Sequence, residues 1–356
     1  MAKPKVPPMK KRTTTVRPRY PRRVQLVIVT IVAVLVVLAL VAIQLNLRKT
    51  PKKDNDNDGT SDKPPEEGDW IITKEINIEK GDYEVKGNLN ITGTGKLTMH
   101  NATLLVSCTN LQTIIIESGG ELHVFKSTID FASTPTSCEL WAKPGSVLEL
   151  KDSSTKLALN IDSNSSVVEN NVLTGKYTGI MIESGSSTIS KNIITGAQGP
   201  ILPSAIYLTN ATRNTISDNR ISGFSSGLTL SGSSVTTIRN NTITSDQSTG
   251  QTTSAGMQFY SSKDNQISFN EIRSCDVGVD LVDNSTGNTF HHNNFVGNTK
   301  QAVDSGTNNF DDGGDGNYWS NYIGFDLNKD GKGDLPYVVS LTDRDNHPFM
   351  KPIKRP

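Results

Sequence analysis

The stretch Asp326-Leu-Asn328-Lys-Asp330-Gly331-Lys332-Gly333-Asp334 has residue types and spacing that point directly to a chemistry. Oxygen-bearing side chains stand at offsets 1, 3, 5 and 9, with glycine at offset 6. Alternate side chains can then converge on one hard cation while the glycine makes the sharp turn. Lys332, at offset 7, would serve through its carbonyl. Tyr337 stands at offset 12, where an acidic residue would close the shell, so Asp343 or Asp345 would have to supply that ligand. The expected ion is calcium, held by Asp326, Asn328, Asp330, Lys332 and Asp334; the competing reading is an Asp/Gly-rich turn. Asp54-Asn-Asp56-Asn-Asp58-Gly59-Thr-Ser-Asp62 repeats the offsets, but within a wholly polar segment, and reads as a solvated acidic stalk.

Soft or borderline metals need clustered His, Cys or Met. The five histidines are His100, His123, His291, His292 and His347. Neighbours on a strand point to opposite faces, so His291 and His292 are not expected to chelate together. His100 and His123 lie 23 residues apart, close to one repeat. Cys108 and Cys138 could pair outside the cytoplasm, leaving Cys275 over; equally, all three serve as small buried apolar residues.

The elements that must position these groups come in repeats, which are read first in a chain of this kind. One set has a period of 25 and begins at Gly95 (GKLTMHNATLLV), Gly120 (GELHVFKSTIDF) and Gly145 (GSVLELKDSS). A second set reads apolar-x-x-Asn-x-apolar and places Asn171, Asn192, Asn219, Asn241, Asn270 and Asn293 at steps of 21, 27, 22, 29 and 23. Between these copies lie the short alternating runs 179–182, 205–208, 227–230, 256–259 and 278–281. Strands of three to five residues are not stable alone. Stacked copies pair each strand with its equivalent and bury one continuous apolar face. The recurring asparagine would form an internal ladder, amide to amide. The predicted fold is all-β: a right-handed parallel β-helix solenoid of about ten coils over 69–303. An aromatic and Asp/Gly-rich cap follows over 304–356, and an N-terminal cap lies near Trp70 to Tyr83.

Alternation turns Met181, Tyr207, Thr229, Gln258 and Asp280 outward in one row, and Glu183, Thr209, Ser231, Tyr260 and Val282 in the next. Their two acids, Glu183 and Asp280, are four coils apart, roughly 19 Å at about 4.8 Å per coil. A hydrolytic pair needs about 5–10 Å. The sequence therefore leans away from an enzyme and names no catalytic residue. Tyr207, Gln258 and Tyr260 do offer rings beside polar groups, which suits stacking on a sugar.

Residues 1–53 hold thirteen Lys or Arg and no acid; the remaining chain carries 23 basic against 36 acidic groups, a net of −13. An acidic body excludes a nucleic-acid partner. Residues 24–47 contain no charge and exceed the roughly 20 needed to span a bilayer. Nine basic residues precede this run and four follow it, which keeps the tail 1–23 inside. The expectation is an uncleaved single-span anchor, a polar acidic linker over 48–68, and a bulk exposed outside the cytoplasm. Six glycosylation sequons, at Asn90, Asn101, Asn164, Asn210, Asn240 and Asn284, all lie on that side and avoid the ladder.

The repeat pattern resembles the parallel β-helix repeat proteins of the NosD-like, carbohydrate-binding (CASH-type) surface group. Gly316 to Trp319, Asp326 to Tyr337 and Asp345 to Pro348 look like the closing segments of archaeal surface members. The resemblance implies a surface protein and no defined reaction. The expected function is a membrane-anchored structural or glycan/envelope-binding module. The alternatives are a polysaccharide-active enzyme, lyase or glycosidase, marked by acid pairs in adjacent coils, and a NosD-like accessory protein for copper-enzyme maturation, marked by clustered His or Met.

Overall fold

The computed structural model describes residues 62–107, 113–132, 138–175, 179–196, 204–245 and 254–356. The basic tail 1–23, the apolar segment 24–47, nearly all of the linker with its acidic stretch from Asp54, and Cys108 lie outside the described residues.

The chain winds as a parallel β-helix with three strand faces. The first face stacks eleven strands, from Trp70–Ile72 through Ile180–Glu183, Ser204–Thr209, Ser226–Ser231, Ala255–Tyr260 and Val277–Val282 to Lys300–Asp304. The second and third faces begin in the long strands Glu75–Val85 and Lys96–Val106, each of which serves both faces before they separate. The second face then runs through Val167–Glu169, Thr215–Ser217 and Thr286–His291. The third runs through Val172–Gly175, Arg220–Phe224 and Asn294–Val296 to Tyr318–Trp319.

Trp70 is 1% exposed and pairs with Leu89, so the segment expected as an N-terminal cap is instead the first coil. Likewise the last coil includes Tyr318–Trp319, inside the stretch expected to be cap. Apolar residues at alternate positions fill the interior, where stacking in register converts three-residue strands into one buried core. The glycine opening the first-face strands is required by that packing. A Cβ at Gly256 would stand 2.3 Å from the Ile272 side chain and 2.6 Å from the Gly278 carbonyl.

The asparagine ladder stands as read. Nδ2 of Asn171, Asn192, Asn219, Asn241, Asn270 and Asn293 each donates to Oδ1 of the next asparagine at 2.9–3.0 Å. It extends further than the repeat pattern indicates. Asn317 receives the last of these bonds, and upstream the hydroxyls of Ser127 and Ser153 take the same place. The residue before each of the six repeat asparagines is left-handed: Asn170, Lys191, Asp218, Asn240, Phe269 and His292. That corner ends the second face and turns the next side chain inward.

Candidate functional site

The first face places the expected ligand-contacting residues in one column. Trp141 pairs in register with Asn160, then Met181, Tyr207, Thr229, Gln258, Asp280 and Val303 follow. Tyr260 stands in the neighbouring column with Ser231 and Val282. Tyr207, Gln258 and Tyr260 are half-buried and face outward as read. Thr229, expected to be exposed between Tyr207 and Gln258, is 4% exposed instead. Its hydroxyl lies 2.7 Å from Ser204 Oγ and donates to Ser226 Oγ at 3.1 Å.

Reading the column only from residue 179 missed its lower end. Ile161 pairs with Ile182, so Asp162 stands beside Glu183 in the adjacent coil, and Lys143 lies below Asp162. Glu183 is thus not paired only with the remote Asp280. Burial pushes its carboxyl up, and the charges of Asp162 and Glu139 push the same way. Burial also raises Asp280 and Tyr260. The signal was present in the sequence as Asn160-Ile161-Asp162, one repeat before Met181-Ile182-Glu183.

Three polar atoms in this column are buried without a partner: Trp141 Nε1, a donor, and Asn90 Oδ1 and Asn160 Oδ1, acceptors. Asn160 pairs with Trp141 in the adjacent coil, and Asn90 stands two coils before Trp141. Buried polar atoms are ordinarily paired, as the asparagine amides are from coil to coil, so these unpartnered atoms set the column apart from the ladder.

A second constellation sits where the helix meets its cap. His291 closes a second-face strand and His292 occupies the left-handed corner, with φ 56°. The corner overturns the expectation that these rings diverge: their Nδ1 atoms lie 2.8 Å apart. Asp312 Oδ2 is 3.6 Å from His291 Nδ1, and Asp315 Oδ2 is 3.6 Å from His292 Nε2. Phe269, at the same corner one coil earlier, stacks on His292 at 4.7 Å. Burial holds His291 below the usual imidazole range, with Asp312 opposing. His100 and His123 do not converge: His100 stacks on Phe125, while His123 lies between Glu121 and Glu149.

The calcium-spaced loop folds on its own backbone. Asp326 accepts from the N–H groups of Asp330 and Gly331, Asp330 from Lys332, and Asp334 from Leu327. The two acids expected to close the shell are engaged elsewhere. Asp343 accepts from the Ser340 and Thr342 hydroxyls, and Asp345 ends the ladder. At the end of the last coil Phe295, Trp319 and Tyr337 form a stack with centroids 4.4 and 4.3 Å apart, while Phe325 stays 48% exposed. Cys138 is disulfide-bonded, and Cys275 is a buried thiol 3.4 Å from the Arg273 carbonyl.

The family described as periplasmic copper-binding protein (NosD) matches residues 127–324, more than half of the chain. The chain belongs to the NosD family. The description places that family in the periplasm, consistent with a bulk outside the cytoplasm. The probable ABC transporter binding protein NosD of Stutzerimonas stutzeri is 41% identical over 80 residues, 22% of this chain and 18% of that protein. The NosD protein of Pseudomonas aeruginosa carrying the same description is 35% identical over 97 residues, 25% and 23% of the two chains. These alignments span less than a quarter of either NosD relative. Among solved structures, a variant of the periplasmic alginate epimerase AlgG superposes with a TM-score of 0.53, covering 68% of each chain at 12% identity, a likeness of fold.

Proposed function

We propose that this NosD-family β-helix is a membrane-anchored binding module whose first face contacts glycans of the cell envelope. The observation that carries the reading is the outward column of the first face, which sets Trp141, Tyr207 and Gln258 in register, with Tyr260 in the column beside it. A sugar would offer an apolar ring face to Trp141, Tyr207 and Tyr260 and hydroxyls to the Gln258 amide. A surface of this kind works through several weak stacking and hydrogen-bonding subsites along the helix axis. The acidic body and the uncharged span at 24–47 fit a chain held at the membrane from its N-terminus. A glycan array probed with the full chain tests it. Binding that falls at least tenfold in the Tyr207→Ala, Tyr260→Ala double variant and in Trp141→Phe supports the reading. No binding, or binding unchanged in both variants, removes it.

A second reading, a polysaccharide-active enzyme, is favoured by one observation. Asp162 and Glu183 follow paired residues in adjacent coils, whose backbones stand about 4.8 Å apart, and the Asp162 charge acts on the Glu183 carboxyl. A panel of polysaccharides assayed for new reducing ends or unsaturated products tests it. Turnover abolished by Glu183→Gln supports the enzyme, and an inert panel discards it.

A further inference from the structure

We propose that the third face carries a docking groove for an extended peptide segment of a partner protein, and that residues 350–356 of this chain occupy part of it as a guard. The groove rests on other residues than the first-face glycan reading. It follows one outward column, in which Val172, Ile193, Arg220, Thr242, Glu271 and Asn294 pair in register from coil to coil.

After Phe349, whose N–H donates to the Asn317 carbonyl, the chain turns back along this column towards earlier coils. Asn294 meets it first. Its Nδ2 donates to the Ile353 carbonyl at 2.9 Å, and its Oδ1 accepts from the Ile353 N–H at 2.8 Å. One carboxamide thus reads both main-chain groups of one residue, which fixes an extended backbone without selecting its side chain. Asn294 is 4% exposed although it stands in an outward column. Arg355 then spans the two coils before it. Its Nη1 donates to the Asn241 carbonyl at 3.2 Å and to Thr242 Oγ1 at 2.9 Å, and its Nη2 lies 3.8 Å from Glu271 Oε2. A carbonyl, a hydroxyl and a carboxylate set side by side suit the several donors of a guanidinium better than the single point of an ammonium. Lys354, between the two seated residues, forms no hydrogen bond or ion pair with a described residue, so the groove reads aliphatic-x-Arg and leaves the middle position free.

The groove is longer than the segment seated in it. Beyond Arg355 it opens into a pocket of about 530 Å³, lined among others by Asp218, Arg220 and Asn240. Arg220 is exposed and forms no ion pair with a described residue. The next members of the column, Ile193 and Val172, are 46% and 49% exposed. The segment that fits the whole column therefore carries aliphatic-x-Arg, then an acid opposite Arg220, then aliphatic residues over Ile193 and Val172. The plain competitor is a fixed clamp on the last coils. It accounts for the seats of Ile353 and Arg355, but not for the cation and the apolar steps that continue the same track.

The test uses the full chain in detergent, with the groove vacated by Arg355→Ala, a change to a partly exposed side chain outside the core. A chain ending at Met350 is the second vacated variant. The probe is the fluorescein-labelled peptide KPIKRPELV, which extends residues 351–356 by an acid and two aliphatic residues, and binding is read by anisotropy. The parent should bind at least about tenfold more weakly than either variant, because its own segment competes at high local concentration. Adding Glu271→Gln, or changing the peptide's arginine to lysine, should cost at least about tenfold. The shorter peptide KPIKRP should bind about tenfold more weakly than the probe. No binding to either vacated variant overturns the proposal and leaves a fixed clamp. Binding unchanged by Glu271→Gln, or equal for a scrambled peptide of the same composition, overturns it as well. Equal binding of the short and long peptides overturns the extension towards Arg220.

Discussion

The backbone N–H of Asn317 donates to Oδ2 of Asp345 across 2.6 Å, and this contact closes a ladder that begins at Ala102. Along that ladder each backbone N–H and each asparagine Nδ2 points toward the next coil, so its last member must offer acceptors only. A carboxylate does this. Asp345 also accepts from Trp319 Nε1 at 2.8 Å and the His347 N–H at 3.0 Å. One buried side chain therefore ties the ladder to the aromatic cap.

Burial pushes the Asp345 carboxyl up to about 6, against the N–H groups that favour its charged form. The folded chain then binds that proton more tightly than the unfolded chain does. The stability contributed is complete below the unfolded value of about 4 and is lost as pH climbs through about 6. A shift of about two units corresponds to about 3 kcal/mol. Unfolding free energy in urea should include this loss between pH 4 and pH 7, and Asp345→Asn should remove it. A variant whose pH profile runs parallel to that of the parent would contradict the assignment.

Within the ladder, both ends of the Asn219 amide are committed. Its Oδ1 accepts from the Asn192 N–H and Nδ2 at 3.0 Å, and its Nδ2 donates to the Ile189 carbonyl and to Asn241 Oδ1 at 2.9 Å. Asn219→Ala strands these buried partners, each at a cost of about 1–3 kcal/mol. A loss of at least about 3 kcal/mol is expected. Asn240→Ala, next to a ladder position but half-exposed, should cost less than about 1 kcal/mol. Chemical denaturation of the two variants checks the contrast; equal losses would show that the ladder is not what holds the coils in register.

The six ladder asparagines were legible because they recur beside apolar residues whose period survives insertions of several residues. A second ladder, Asn265 to Asn288 to Asn308, was not read, although each member stands two residues before an apolar position, at Ile267, Phe290 and Phe310. Its repeat is broken upstream, where Thr236 stands in the column and donates only its N–H to Asn265. The histidine pair was misread for a different reason. Strand alternation holds only while the backbone is extended, and His292 sits at a left-handed corner. That corner is shared by Lys191, Asp218 and Phe269, so no residue type marks it; its position just before each ladder asparagine does. Asp162 beside Glu183 was not legible because it precedes the first asparagine repeat, which opens at Val168, so no repeat marks its coil as the neighbour of Glu183.

Four sequon asparagines are exposed: Asn101 at a left-handed corner within the strand Lys96–Val106, and Asn164, Asn210 and Asn284 at turns or bends. Asn90 and Asn240 are partly buried, and the Asn240 amide is bonded to Asp218. Glycan transfer needs a free amide at the surface, so occupancy in the native host is expected at the first four and lowest at Asn240. Peptide mapping by mass spectrometry checks the order. A bare intact mass would remove the prediction, and glycan on Asn240 alone would reverse it.

The loop from Asp326 to Asp334 keeps the spacing of a calcium site but lacks a closing acid, because Asp343 and Asp345 are both committed to other contacts. Its own side chains already accept backbone N–H groups, which an ion would have to replace in part. Such a site belongs at the weak end of the calcium range, with Kd about 1 mM. Ten millimolar calcium would then stabilise the folded chain by about 1.4 kcal/mol. The thermal midpoint should rise with calcium and the rise should vanish in Asp326→Asn combined with Asp330→Asn. No rise at ten millimolar, or the same rise in the double variant, would leave the stretch as a structural turn of the cap and nothing more.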